Sequence, residues 1–158
     1  GNTTIDARQG QSANALADEA RVALLNSNYS LTIEKGQAAL EAYQSLGYLE
    51  RVEELEIYIN RAEIGQQALF QLEAGEQKLD SWQFWQADQE ISEATRLLQA
   101  LDNLNEAQRG EQLLLSSARQ QTNFAYGILG VALLLLLLNG VRRIAYRLTA
   151  TPLEVEFR

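Results

Sequence analysis

Residues 124–141 read FAYGILGVALLLLLLNGV and carry no charge. Asn139 is the one strongly polar side chain in the run. Eighteen helical residues rise about 27 Å, close to the ~30 Å hydrocarbon core of a bilayer. A helix satisfies its own backbone groups, which lipid cannot do for it. The alternative is a helix buried in a protein core. A chain of 158 residues has no interior that surrounds six consecutive leucines, Leu133 to Leu138, on every side. The run therefore predicts a transmembrane helix over 124–141, with the lipid bilayer as a partner.

The flanks agree with that reading. Phe124 and Tyr126 stand at one boundary and Tyr146 at the other, where aromatics anchor to the headgroups. Arg142, Arg143 and Arg147 follow the run at once, and the nearest preceding cation is Arg119. Positive charge beside a span marks the cytoplasmic side. The expected topology puts the N-terminal part outside, in the periplasm, a lumen or the cell exterior, and the C-terminus in the cytoplasm. The chain then divides into a flexible N-terminus (1–10), an acidic helical extracytoplasmic domain (11–123), the span (124–141) and a short cytoplasmic tail (142–158). Within the tail, LEVEF alternates like a short strand.

Residues 1–123 carry 19 Asp and Glu against 9 Lys and Arg, and residues 124–158 carry 2 Glu against 4 Arg. An acidic domain without a basic stripe is not expected to bind nucleic acid. Nor is it expected to lie flat on anionic lipid. The chain has no Cys, His or Met. That removes thiolate chemistry, the usual general base, the commonest metal ligand and the ordinary axial ligands of haem. No nucleophile–base pair, phosphate loop or metal set is legible, so neither catalysis nor a cofactor is expected. Gly1 in place of Met fits removal of a signal peptide, and equally a tag remnant or a partial chain. Asn2 and Asn28 each head an N-x-S/T triplet that a secretory setting could glycosylate.

The 46% apolar content lets the soluble part bury a core, and a chain with a single proline, Pro152, and rich in Ala, Leu, Glu and Gln favours helix. Residues 1–10 are polar and lack an apolar period. Ala13, Leu16, Ala20, Ala23 and Leu24 then share one helical face, and Asn26-Ser27-Asn28 breaks it. Tyr29, Ile33, Gly36, Leu40 and Tyr43 form the next face, closed by Leu46-Gly47, where glycine suits a left-handed cap. From Tyr48 to Leu79 the pattern has two parts. Val52, Leu55, Ile59 and Ala62 share one face; Ile64, Ala68, Leu72, Gly75 and Leu79 share another, out of phase near Gly65. A bent or interrupted helix is expected there. Asp80-Ser81 reads as the N-cap of the next helix. Its stripe, Phe84, Ala87, Ile91, Ala94, Leu98 and Leu101, has the 3-4 spacing of a helix–helix seam. Asp102-Asn103 ends it. The last helix starts near Leu104 or Asn105 and runs without a stop into the span, Gly110 weakening it without breaking it. The predicted fold is all-α: antiparallel helical hairpins or a bundle of about four or five helices, continuing into one C-terminal transmembrane helix.

Residues 16–40 resemble a tetratricopeptide repeat. Leu16 and Ala20 match the first helix, Asn28-Tyr29 the turn, and Ile33, Ala39 and Leu40 the second helix. Thr32 and Gly36 replace the usual alanine and aromatic, and the proline after the second helix is missing. A second match runs through Gly75, Phe84, Ala87, Ile91 and Ala94. From Ala39 to Ala94 is 55 residues, against the family's 34, which does not support a regular array. The resemblance implies helical hairpins that hold other proteins.

Several residues carry candidate contacts. Glu53, Glu54 and Glu56 read as a solvated face rather than a cation site, because Glu53 and Glu56 flank an apolar stripe. Phe84 reads as core. Trp82 and Trp85 lie off the best stripe, and Trp is enriched at contact surfaces, so both are candidate partner contacts. In the span, Gly127 and Gly130 could let a neighbouring helix approach, although the longer-spaced dimer pattern is absent, and Asn139 could either hydrogen-bond across helices or sit near the headgroups. Phe124, Tyr126, Arg142, Arg143, Tyr146 and Arg147 are the candidate membrane-interface anchors. The expected function is a non-catalytic, membrane-anchored accessory or scaffold subunit of a larger membrane complex, with other integral membrane subunits as partners. The alternative is a surface or filament protein of the cell envelope that assembles with copies of itself. A sensor ectodomain ranks third, because the eleven residues after Arg147 leave little room to signal.

Overall fold

The computed structural model describes the backbone of residues 2–149 and the side chains of residues 7–146. Among these there are five helices and no strand: α1 (Asn2–Leu25), α2 (Tyr29–Leu46), α3 (Leu49–Asp80), α4 (Phe84–Ala100) and α5 (Leu104–Thr149). The chain forms two compact units, Gly1–Leu115 and Ser116–Arg158. The LEVEF segment lies outside the described residues.

The helices of the first unit are joined by four turns of one kind. Ser27, Gly47, Trp82 and Asp102 adopt left-handed φ values of 56°, 75°, 62° and 60°. The N–H of each bonds back three residues, to Leu24, Gln44, Leu79 and Gln99. The N–H of the next residue bonds back five, to Ala23, Tyr43, Lys78 and Leu98, at 2.8–3.0 Å. This pair of bonds is the Schellman arrangement, which satisfies the orphan carbonyls of a helix end and reverses the chain. Only Gly47 is a glycine, so the other three residues hold a conformation that L side chains adopt at a cost of roughly 1–2 kcal/mol. Asn26-Ser27-Asn28 and Gly47 stop their helices where the sequence places the breaks. Asp80-Ser81 is different: α3 runs through Asp80, Ser81 caps its end, and Gln83 precedes α4 without a side-chain cap bond. The Ser81 hydroxyl donates backward to the Gln77 carbonyl, 3.0 Å away.

Short turns between packed helices make successive helices antiparallel, and cross-helix contacts fix the register. The Tyr43 hydroxyl on α2 donates to Asn14 Oδ1 on α1 at 2.6 Å. Lys35 on α2 pairs with Glu19 on α1 at 3.4 Å. Gly36 on α2 lies under Ile59 on α3, and Gly75 on α3 lies under Ile91 on α4. At the start of α5, Gly110 lies under Thr95 of α4 and Leu72 of α3. Glycine permits these approaches because a Cβ would collide with the facing side chain.

Two clusters of core residues result. One gathers Ala13, Ala39, Tyr43, Val52 and Leu55 from α1, α2 and the first half of α3. The other is built mainly from the second half of α3 and from α4, with Leu72, Ile91 and Leu98 fully buried. The seam read on α4 is the core face: Ala87, Ile91, Ala94 and Leu98 are buried, and Phe84 and Leu101 pack at its edges.

The helix Leu49–Asp80 is continuous, so of the two expected forms, bent or interrupted, the interrupted one does not hold. Its apolar face shifts near Gly65 because its neighbours change there, from α2 before that point to α4 and α5 after it. The segment 1–10 is helical from Asn2 onward. Ala7, Arg8 and Gln9 are exposed, so no buried face imposes an apolar period on them.

In the second unit the helix continues to Thr149. The stretch Leu104–Tyr146 includes an apolar window of mean hydropathy 2.2, none of it buried. Among the described residues this is the one helix long and apolar enough to cross a membrane.

Candidate functional site

The aromatic candidates sit on the α3–α4 turn. Trp82 occupies the left-handed position of that turn. Its ring meets Phe84 edge-on, with centroids 5.6 Å apart. Trp82 is 62% exposed and Trp85 77%, whereas Phe84 packs against the core. A bulky residue at positive φ is an uncommon choice, and it turns a large ring outward.

The span presents its candidates on an open surface. A Cβ added at Gly127 or Gly130 would meet nothing within 4 Å. Asn139 is exposed, as are Phe124, Tyr126, Arg142 and Arg143. The Arg142 guanidinium lies 5.6 Å from the centre of the Tyr146 ring, a cation–π distance. The side chain of Arg147 lies outside the described residues.

The acidic cluster on α3 is divided in use. Glu53 and Glu56 are exposed. Glu54 accepts from the Tyr58 hydroxyl at 2.8 Å and from Arg51 at 3.2 Å. The Tyr58 bond, helped by Arg51, holds its carboxyl below the usual glutamate value. The same bond, together with burial, pushes the Tyr58 phenol up. Burial also raises Tyr43. These groups line a polar cleft of about 270 Å³ with Asn14, Asp18 and Arg21. Among the described residues no group of three acidic side chains is placed to hold a metal ion.

On the opposite hairpin, Arg109 bridges Glu76 and Glu106 at 2.5 and 3.3 Å. Burial works against its charge, but the two carboxylates outweigh it and raise its pKa. Gln99 donates to Glu111 at 2.9 Å. These bonds tie the start of α5 to α3 and α4.

Sequence reasoning missed the contact between the two hairpins. Asn103, in the α4–α5 turn, donates its side-chain amide to the Tyr29 hydroxyl at 3.1 Å, in a buried position. The Tyr29 ring rests on Gly65, where a Cβ would overlap it. Asn103 Oδ1 also accepts from the Glu106 N–H at 3.4 Å. The available signal was the pair of Asn-containing breaks and the one glycine where the face of α3 shifts.

Comparison with known protein families, with curated proteins and with solved structures finds no match to this chain.

Proposed function

We propose that this chain is a non-catalytic accessory subunit, held in the membrane by α5 and docked onto other integral membrane subunits. The carrying observation is the open surface of the span, with Gly127 and Gly130 uncovered and Asn139 exposed on an otherwise apolar helix. In lipid, helices associate through close packing at small residues and through polar side chains. The exposed Trp82 and Trp85 offer the helical domain a second contact. The non-catalytic part of the reading rests on the absence of His, Cys and Met. The arginines after the span support an extracytoplasmic helical domain in this reading.

Extraction in mild detergent, followed by native sizing and mass spectrometry, tests this. Co-purification with polytopic chains at fixed stoichiometry is the expected result. A detergent-bound monomer overturns it, and a ladder of this chain alone favours a self-assembling envelope protein instead. Asn139→Leu and Gly130→Leu both raise hydrophobicity, so insertion should persist while association weakens. Unchanged association would move the contact to Trp82 and Trp85.

A further inference from the structure

The two tryptophans of the chain stand together, Trp82 in the α3–α4 turn and Trp85 as the second residue of α4. Trp82 holds φ 62° where the α2–α3 turn has Gly47, at a cost of roughly 1–2 kcal/mol. Both rings remain largely exposed. Residues 81–87 read SWQFWQA and carry no charge, although residues 1–123 hold 19 Asp and Glu. Asp80 and Asp88 flank this stretch.

The start of α5 runs back along α4, toward that turn. Gly110 lies under Thr95 of α4. Arg109 bonds to Glu76 of α3, and Glu111 to Gln99 of α4. From Thr95 back to Trp85 is ten residues, about 15 Å of helix. Ten residues on from Gly110 is Gln120, four before the uncharged run begins at Phe124. The chain is helical throughout this stretch. Residues 112–123 carry one charge, Arg119. The α2–α3 turn, with Tyr48, lies at the other end of α3.

We infer that Trp82 and Trp85 insert into the headgroup layer of the bilayer that α5 crosses. Four helical residues rise about 6 Å, and the polar layer on each side of the ~30 Å hydrocarbon core is roughly 5–8 Å deep. That layer is therefore within reach of both rings. Tryptophan suits it, with an apolar body for the acyl boundary and an N–H for the wet side. The stretch 81–87 enters with no charge to desolvate. The contact is with the boundary itself, so zwitterionic lipid suffices. This rests on α5 being the anchor of the proposed function, and it gives the tryptophan contact to lipid rather than to a protein subunit.

The chain has no other tryptophan, so its own fluorescence reads these two rings. The full chain is reconstituted into phosphatidylcholine vesicles, and flotation checks that α5 is inserted. A nitroxide on the lipid headgroup should quench the emission strongly, and bromine at the bilayer centre much less. Aqueous iodide should quench it less than it quenches free tryptophan. Strong iodide quenching with none from the headgroup label puts the rings in water and overturns the inference. So does headgroup quenching that appears only with anionic lipid. A second reporter separates an end-on contact from a domain lying flat. Tyr48→Trp, combined with Trp82→Phe and Trp85→Phe, should be quenched by iodide and not by the headgroup label, with far-UV circular dichroism checking the fold. Equal headgroup quenching of this variant and the parent overturns the inference. In the native membrane, a photo-reactive benzophenone amino acid at position 85 should label lipid. An adduct to protein alone overturns the inference and leaves the accessory reading standing. A chain that does not float with the vesicles defeats both.

Discussion

Tyr29 and Asn103 are 74 residues apart in sequence and share one buried hydrogen bond, the amide of Asn103 donating to the phenol oxygen at 3.1 Å. The bond joins the α1–α2 turn to the α4–α5 turn over the middle of α3. Tyr29→Phe leaves the Asn103 amide buried without this acceptor, at a cost of about 1–3 kcal/mol. Gly65→Ala gains helix propensity but drives a methyl into the Tyr29 ring, and overpacking of about 1–3 kcal/mol dominates. Both variants should unfold at lower urea than the parent. Gly10→Ala, whose added methyl meets nothing within 4 Å among the described residues, should unfold at higher urea. Equal shifts at positions 10 and 65 would show that the ring does not rest on Gly65.

Ile91 is fully buried and covers Gly75 on the facing helix. Ile91→Asp puts a carboxylate into this seam. The cost should exceed the roughly 2–5 kcal/mol of a buried large-to-small change, because the charge must be desolvated or neutralised. Thermal melts followed by circular dichroism should show a large loss of stability. An unaltered melt would mean that the seam is not core.

The pair Tyr58 and Glu54 predicts a pH effect with a definite sign. Glu54 has its pKa lowered from 4.5, first by the hydrogen bond from Tyr58 and then by Arg51. A depressed carboxylate adds stability above its ordinary value and loses it as pH falls through the lowered one. Tyr58→Phe removes the largest lowering cause, so the Glu54 midpoint should rise. A carbon-detected NMR titration of the Glu54 carboxyl reads this directly. A midpoint that does not move would rule out the bond.

The absence of cysteine makes orientation measurable with single replacements. Gln67→Cys in the helical domain should react with a membrane-impermeant maleimide on intact cells. Arg143→Cys should react only after the membrane is opened. The opposite pattern would reverse the topology.

Much of the fold was legible because its signals are local. Eighteen uncharged residues determine a membrane-length helix whatever surrounds them. Asn26-Ser27-Asn28, Gly47 and Asp102-Asn103 stop helices within a few residues of themselves, and the stripe Ala87, Ile91, Ala94 and Leu98 declares its own buried face. The rest depended on which surface each helix meets. The shift of face at Gly65 looks the same in sequence whether a helix breaks or changes neighbours, and only packing against α2 and then α4 decides for one helix. Asp80-Ser81 has good capping chemistry, yet the chain turns at Trp82, because burial of Leu79 and Ala87 sets the length of the connection. The Tyr29–Asn103 bond involves residues far apart in the chain. Local propensity carries no information about such distances, so tertiary structure alone brings those residues together.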